Sequence, residues 1–152
     1  EDQDRRLWNQ ELISEGLVLV EKALRHRRPG PYQVQAAIAA VHSRAQTPQE
    51  TDWAEIERLY AALERLQPSP VVTLNRAVAV SKVHGPTRAL ELIEPLQAPL
   101  ANYFHFYGVR GALLMQLGRK DEARADFDRA ISLARTAAEA AHIRMNLDRL
   151  SA

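Results

Sequence analysis

The chain has 152 residues, 46% of them hydrophobic and 26% charged, a globular composition with enough apolar material for a core. Its 20 basic and 19 acidic side chains leave a net charge of +1, which is not the balance of a dedicated nucleic-acid binder. Cysteine is absent, so disulfides and thiolate metal sites are excluded. No apolar run reaches the roughly 20 residues of a membrane span, and the acidic start Glu1-Asp2-Gln3-Asp4 is the opposite of a signal peptide. The chain opens on Glu1 rather than Met, and a piece of a longer cytoplasmic protein is expected.

Apolar residues recur at three- and four-residue spacing, and strand-like alternation never persists, which predicts an all-α chain of about eight helices. The first covers about Asp4–Arg27, with the stripe Trp8, Leu12, Leu17, Val20 and Leu24, and stops at Pro29-Gly30-Pro31. Its basic end, Arg25-His26-Arg27-Arg28, offsets the negative pole of the helix dipole. The second spans about Tyr32–Ala45. The third starts at Thr51 or Asp52, where Asp52 and Glu55 have capping-box spacing, and ends before Pro68. The fourth covers about Pro70–Val83, and the fifth, about Thr87–Leu96, is cut short by Pro95. The sixth runs about Ala101–Leu117, the seventh about Lys120–Arg135 after Gly118, and the eighth about Ala137–Leu150.

A period runs through the middle of this order. Gly111, Gly118, Ala123, Phe127 and Ala130 have the spacing of small and bulky residues found in a tetratricopeptide helix pair, with Tyr107 and Leu114 at its aromatic and apolar positions. Thirty-four residues earlier, Ala77, Ala89 and Ile93 take the places of Gly111, Ala123 and Phe127. Two helices cross closely only where side chains are small, and a large apolar knob fills the space beside them. Ala37 plays the same part in the second helix, followed by an insertion, Gln46–Glu50, before Ile56, Tyr60, Leu63 and Pro68. Gly16, Val20, Ala23 and Pro29 read as half of an incomplete first unit, and the eighth helix as the terminal cap of the stack. The expected architecture is a single domain, an α-α superhelix of tetratricopeptide-like pairs.

Constellations for chemistry are missing from the sequence. The histidines, His26, His42, His84, His105 and His142, never pair at three- or four-residue spacing, and no phosphate loop or nucleophile elbow occurs. Asp121-Glu122 and Asp126/Asp128 read as exposed helix-face partners of Arg124 and Arg129. The run Tyr103-Phe104-His105-Phe106-Tyr107 reads as core and inter-repeat packing, because a helix turns those side chains in different directions. The chain is therefore not expected to be an enzyme, nor to carry a cofactor or metal.

Two polar features invite binding. Gln35 and Asn75 each stand two residues before a small residue, Ala37 and Ala77, at a first-helix position that can face a concave groove. Amides there can clamp a peptide backbone, or bond a neighbouring helix end. Arg76 beside Asn75 can add a charge-assisted contact. The second feature is Asp2-Gln3-Asp4-Arg5 with Leu7-Trp8, where one aspartate suffices to cap the first helix and the rest are left for contact with a partner.

These strings resemble a known family. Asp-Gln-Asp-Arg with its following Trp, Glu15-Gly16-Leu17, Gly30-Pro31-Tyr32-Gln33-Val34-Gln35-Ala36-Ala37, Thr51-Asp52-Trp53, and Ser69-Pro70-Val71-Val72 followed by Leu74-Asn75-Arg76-Ala77 are similar to the tail of bacterial extracytoplasmic-function (ECF) sigma factors that carry a C-terminal tetratricopeptide-like extension. The resemblance covers nearly the whole chain and is densest from Asp2 to Ala79. It implies upstream regions that bind core RNA polymerase and read promoter DNA, with the present chain as the extension that regulates them. Its implied partners are the sigma core and RNA polymerase, with promoter DNA reached only through the upstream regions and no membrane contact. The resemblance places its junction motif on Asp2, Gln3, Asp4 and Arg5; with Trp8 beside it, and with Gln35, Asn75 and Arg76 from the repeat positions, these are the expected interaction residues. A ligand- or peptide-sensing groove, and direct DNA contact through Arg25, Arg27 and Arg28, are the rival expectations.

Overall fold

Proline sets the start of three helices. Pro31, Pro70 and Pro86 each occupy the first helical position, where the missing N–H has no intrahelical partner to lose and the fixed φ already suits a helix. The computed structural model describes residues 30–45 and 48–151, and every regular element among them is helical. In chain order these are α1 (Pro31–Arg44), a 3₁₀ turn (Pro48–Glu50), α2 (Trp53–Leu66), α3 (Pro70–His84), α4 (Pro86–Ile93), a second 3₁₀ turn (Glu94–Leu96), α5 (Phe104–Gln116), α6 (Lys120–Leu133) and α7 (Ala137–Ser151). The helix expected over about Asp4–Arg27 lies outside the described residues.

The chain divides into two compact units, residues 1–72 and 73–152, with the division inside α3. In the first, α1 packs on α2. Val34, Ala37, Ile38 and Val41 are buried on one stripe, and Ile56, Leu59, Ala62 and Leu63 on the other. The His42 ring meets Trp53 edge-on at 5.4 Å. Asp52 caps α2 as its spacing predicts, its carboxylate accepting the Glu55 N–H at 3.1 Å. The Glu55 carboxylate is turned to Arg58, forming an i,i+3 ion pair.

In the second unit α4 packs on α5, α5 on α6, and α6 on α7, with a smaller contact between α5 and α7. The residues singled out by the 34-residue register, Ala77, Ala89, Ile93, Gly111, Ala123, Phe127 and Ala130, are all buried. Gly111 shows why its position must be small: a β-carbon there would stand 2.6 Å from Phe127 Cε1. Gly118, at φ 74°, closes α5 in a Schellman turn. Its N–H bonds Met115 O at 3.1 Å and the Arg119 N–H bonds Leu114 O at 2.9 Å. That turn reverses the chain within four residues and delivers α6 against α5.

Two details depart from expectation. α5 begins at Phe104, not near Ala101, because the preceding segment is a turn folded around buried Leu100, whose N–H bonds Leu96 O at 2.9 Å. Pro95 does stop α4, and the chain tightens into the 3₁₀ turn Glu94–Leu96 instead of ending outright. α7 carries its own cap: Thr136 Oγ1 accepts the Glu139 N–H at 3.1 Å, and Glu139 Oε1 accepts the Arg135 N–H at 2.9 Å.

Candidate functional site

Within the second unit, faces of α3, α5 and α7 enclose a cleft of about 520 Å³, in the range of ligand-binding pockets. Val78, Ser81 and Lys82 come from α3, and Phe104, Val109, Ala112 and Gln116 are among the α5 residues. α7 adds Glu139, His142, Ile143 and Asn146. The 34-residue register relates all three walls: Val78 aligns with Ala112 and Lys82 with Gln116, and on α7 Ile143 and Asn146 stand 34 residues after Val109 and Ala112. Val78 and Lys82 on α3, and Ala112 and Gln116 on α5, are four residues apart, so the two helices present matched rows one turn deep. Ile143 is buried at the base, its Cδ1 3.7 Å from where a β-carbon on Gly108 would lie. A β-carbon at that distance would make an ordinary contact, so the approach of α7 to α5 does not require the glycine.

Asn75 is exposed and Arg76 half-buried on α3. Asn75 stands three residues before Val78, on the same face, and in the register it corresponds to Val109, which does line the cleft. Arg76 already has an interaction partner. Gln35 is exposed on α1, in the other unit. Asp2, Gln3, Asp4, Arg5 and Trp8 lie outside the described residues, as does the basic run from Arg25. None of Gln35, Asn75 and Arg76 lines the cleft, which the sequence reading did not single out; applying the register to Val78 and Lys82 would have pointed to it.

A second polar cluster corrects the reading of Asp126 as an exposed helix-face residue. Asp126 is buried, at 6% exposure, and faces Arg110 of α5 instead of Arg129. Arg110 Nε bonds Asp126 Oδ2 and Arg110 Nη2 bonds Oδ1, each at 2.8 Å, a bidentate fork. The carboxylate raises the Arg110 pKa above its ordinary value, chiefly through that hydrogen bond. Arg110 also donates to Gln97 Oε1 at 3.2 Å and lies 4.9 Å over the Phe106 ring. The Tyr107 hydroxyl donates to Ala101 O at 2.6 Å, and Arg129 Nη2 to Asn102 Oδ1 at 3.0 Å. Gln97, Ala101 and Asn102 all belong to the connection before α5, so these contacts pin that connection to the α5–α6 pair. Of the aromatic run, Phe106 and Tyr107 are buried as expected, whereas His105 is exposed and, with Phe104, lines the cleft.

Among the described residues, no group of three or more His, Asp or Glu is placed to hold a metal, and no helix is long and apolar enough to cross a membrane.

No protein-family model matches the chain, and no solved structure matches it. An uncharacterised protein of Rhizobium meliloti (strain 1021) is 66% identical over all 152 residues. The chain spans 36% of that relative's length.

Proposed function

We propose that this chain is a non-catalytic protein-interaction domain, a superhelix of tetratricopeptide-like pairs that regulates transcription initiation by docking on an ECF sigma core, on RNA polymerase, or on both. The observation that carries the reading is the cleft in the second unit, whose walls repeat at the 34-residue spacing that also fixes the buried small residues. A surface that follows the repeat while its opposite side packs the core is what stacked helix pairs use for partners. The ordered strings from Asp2 to Ala79 supply the sigma-factor part of the reading, and the longer relative is compatible with a domain that acts within a larger polypeptide. The junction string Asp2-Gln3-Asp4-Arg5 with Trp8, together with Gln35, Asn75 and Arg76, would hold or release the promoter-reading regions. Such control requires different affinities for two states of the partner.

Calorimetric titration of the chain against the sigma core that it resembles a tail of, with Asp4→Ala and Ala112→Trp in parallel, tests this. Micromolar or tighter binding that either variant loses, at unchanged helix content, is expected. Absence of binding to both the sigma core and RNA polymerase at low salt would overturn the proposal. A second reading, a sensor that admits a small ligand or peptide signal and passes it to the sigma core, is favoured by the cleft's volume. Thermal stabilisation by such a ligand, lost in Asn75→Ala, is its mark.

A further inference from the structure

The fixed charges that line the cleft oppose one another, and both are already engaged. Lys82 on α3 and Glu139 on α7 carry one charge of each sign, and no other lining residue carries a fixed charge. Glu139 stands in the first turn of α7, where the helix dipole favours a carboxylate, and its Oε1 accepts the Arg135 N–H at 2.9 Å. Lys82 has an interaction partner of its own. A charged side chain entering the cleft therefore gives up water and meets repulsion as well as attraction. An uncharged one has no such cost.

The neutral amides stand differently. Gln116 on α5 is exposed and Asn146 on α7 half-buried, and among the described residues no side-chain hydrogen bond engages either. Ser81, by contrast, donates its hydroxyl to Val78 O at 2.7 Å. Each amide is both donor and acceptor, the complement of a peptide group's C=O and N–H. A helical segment satisfies those groups internally, whereas an extended one presents them. Asn146 takes the register position of Ala112, one turn before Gln116, so α7 and α5 offer amides at successive positions of the repeat. Val78, Val109, Ala112 and Leu113 supply aliphatic lining, against which burial of apolar side chains is favourable.

We infer that the cleft takes an uncharged, extended polypeptide segment with aliphatic side chains, its peptide groups hydrogen-bonded by Gln116 and Asn146, and that it discriminates against charge of either sign. This deepens the protein-interaction reading and rests on it.

The test uses the full 152-residue chain and three peptides of one length with blocked ends and the same uncharged dye. All alternate leucine with serine, and they differ at one central serine, kept in the first and replaced by glutamate or lysine in the others. In fluorescence anisotropy the serine peptide is expected to bind about tenfold more tightly than either charged peptide. Gln116→Ala and Asn146→Ala are each expected to weaken it about fivefold, with circular dichroism unchanged. Methylating its central N–H groups should weaken binding and make it less sensitive to both variants. Glu139→Gln, which keeps an acceptor for the Arg135 N–H, is expected to tighten the glutamate peptide about threefold and leave the serine peptide within about twofold. Ala112→Trp, which fills the aliphatic lining, should abolish binding while the helices persist.

A charged peptide that binds as tightly as the serine peptide would overturn the inference. So would binding unaffected by Gln116→Ala/Asn146→Ala, or by Ala112→Trp. No binding of any peptide, while the sigma core still binds, would sink this inference alone. Absence of binding to both the sigma core and RNA polymerase would instead count against the functional reading beneath it.

Discussion

The pair α1–α2 in the first unit and the pair α5–α6 in the second are both antiparallel neighbours in sequence, yet they are specified differently. In α5–α6 the chain turns at one left-handed glycine, Gly118, and Gly111 admits the Phe127 ring. A part-buried guanidinium–carboxylate fork, Arg110 to Asp126, then crosses between the helices. In α1–α2 the connection holds an insertion and a 3₁₀ turn, and the buried stripes are ordinary aliphatics around Ala37. Where small and large positions are tightly matched, a pair has one geometry. Where an aliphatic stripe alone does the packing, other approaches of the helices fit almost as well.

The largest effect should come from removing the knob. Phe127→Ala empties a fully buried ring site, and a loss of about 4 kcal/mol is expected in urea denaturation of the second unit. Asp126→Ala leaves Arg110 without its carboxylate beside two aromatic rings, with a loss of about 3 kcal/mol expected. If that loss is instead under 1 kcal/mol, the fork is not what fixes the pair. Gly111→Ala forces the new methyl against Phe127, and about 2 kcal/mol should be lost. A double-mutant cycle with Phe127→Leu should recover part of it, while Ala37→Gly in the first pair should show no such coupling to α2. Asp52→Ala removes the α2 cap, at about 1 kcal/mol.

The smallest effect is electrostatic. The hydrogen bond from Arg119 holds the Glu122 carboxyl below its ordinary value of 4.5. The folded state therefore binds that proton less readily than the unfolded state. The contribution is present above pH 4.5 and is lost as pH falls through the depressed folded value. Both groups are exposed, so salt should erase it, and acid titrations of Glu122→Gln at low and high salt would show this.

Much of this contrast could be read along the chain. Gly118, Gly111 with Phe127, and Asp52 with Glu55 act on neighbours within one helix pair, where spacing alone determines contact. Asp126 was misread because helical periodicity places it among charged residues, and its partner lies sixteen residues earlier on a different helix. The start of α5 was misplaced for a similar reason: Leu100 is apolar and in phase with the helix, but its burial is in the preceding turn. The cleft needed α7 in position, and the register reaches it: Glu139, His142, Ile143 and Asn146 stand 34 residues after His105, Gly108, Val109 and Ala112, although the eighth helix was expected only as a terminal cap. Asn75 lies about one turn from the α3 residues that line the cleft and is not among them.

The central claim, that the chain works by docking a partner in the cleft, is tested most directly by amide hydrogen exchange with and without the sigma core. Slower exchange centred on Val78, Val109, Ala112 and His142 is the predicted result. Slower exchange confined to the outer face of α6, or none anywhere at saturating sigma core, would contradict it.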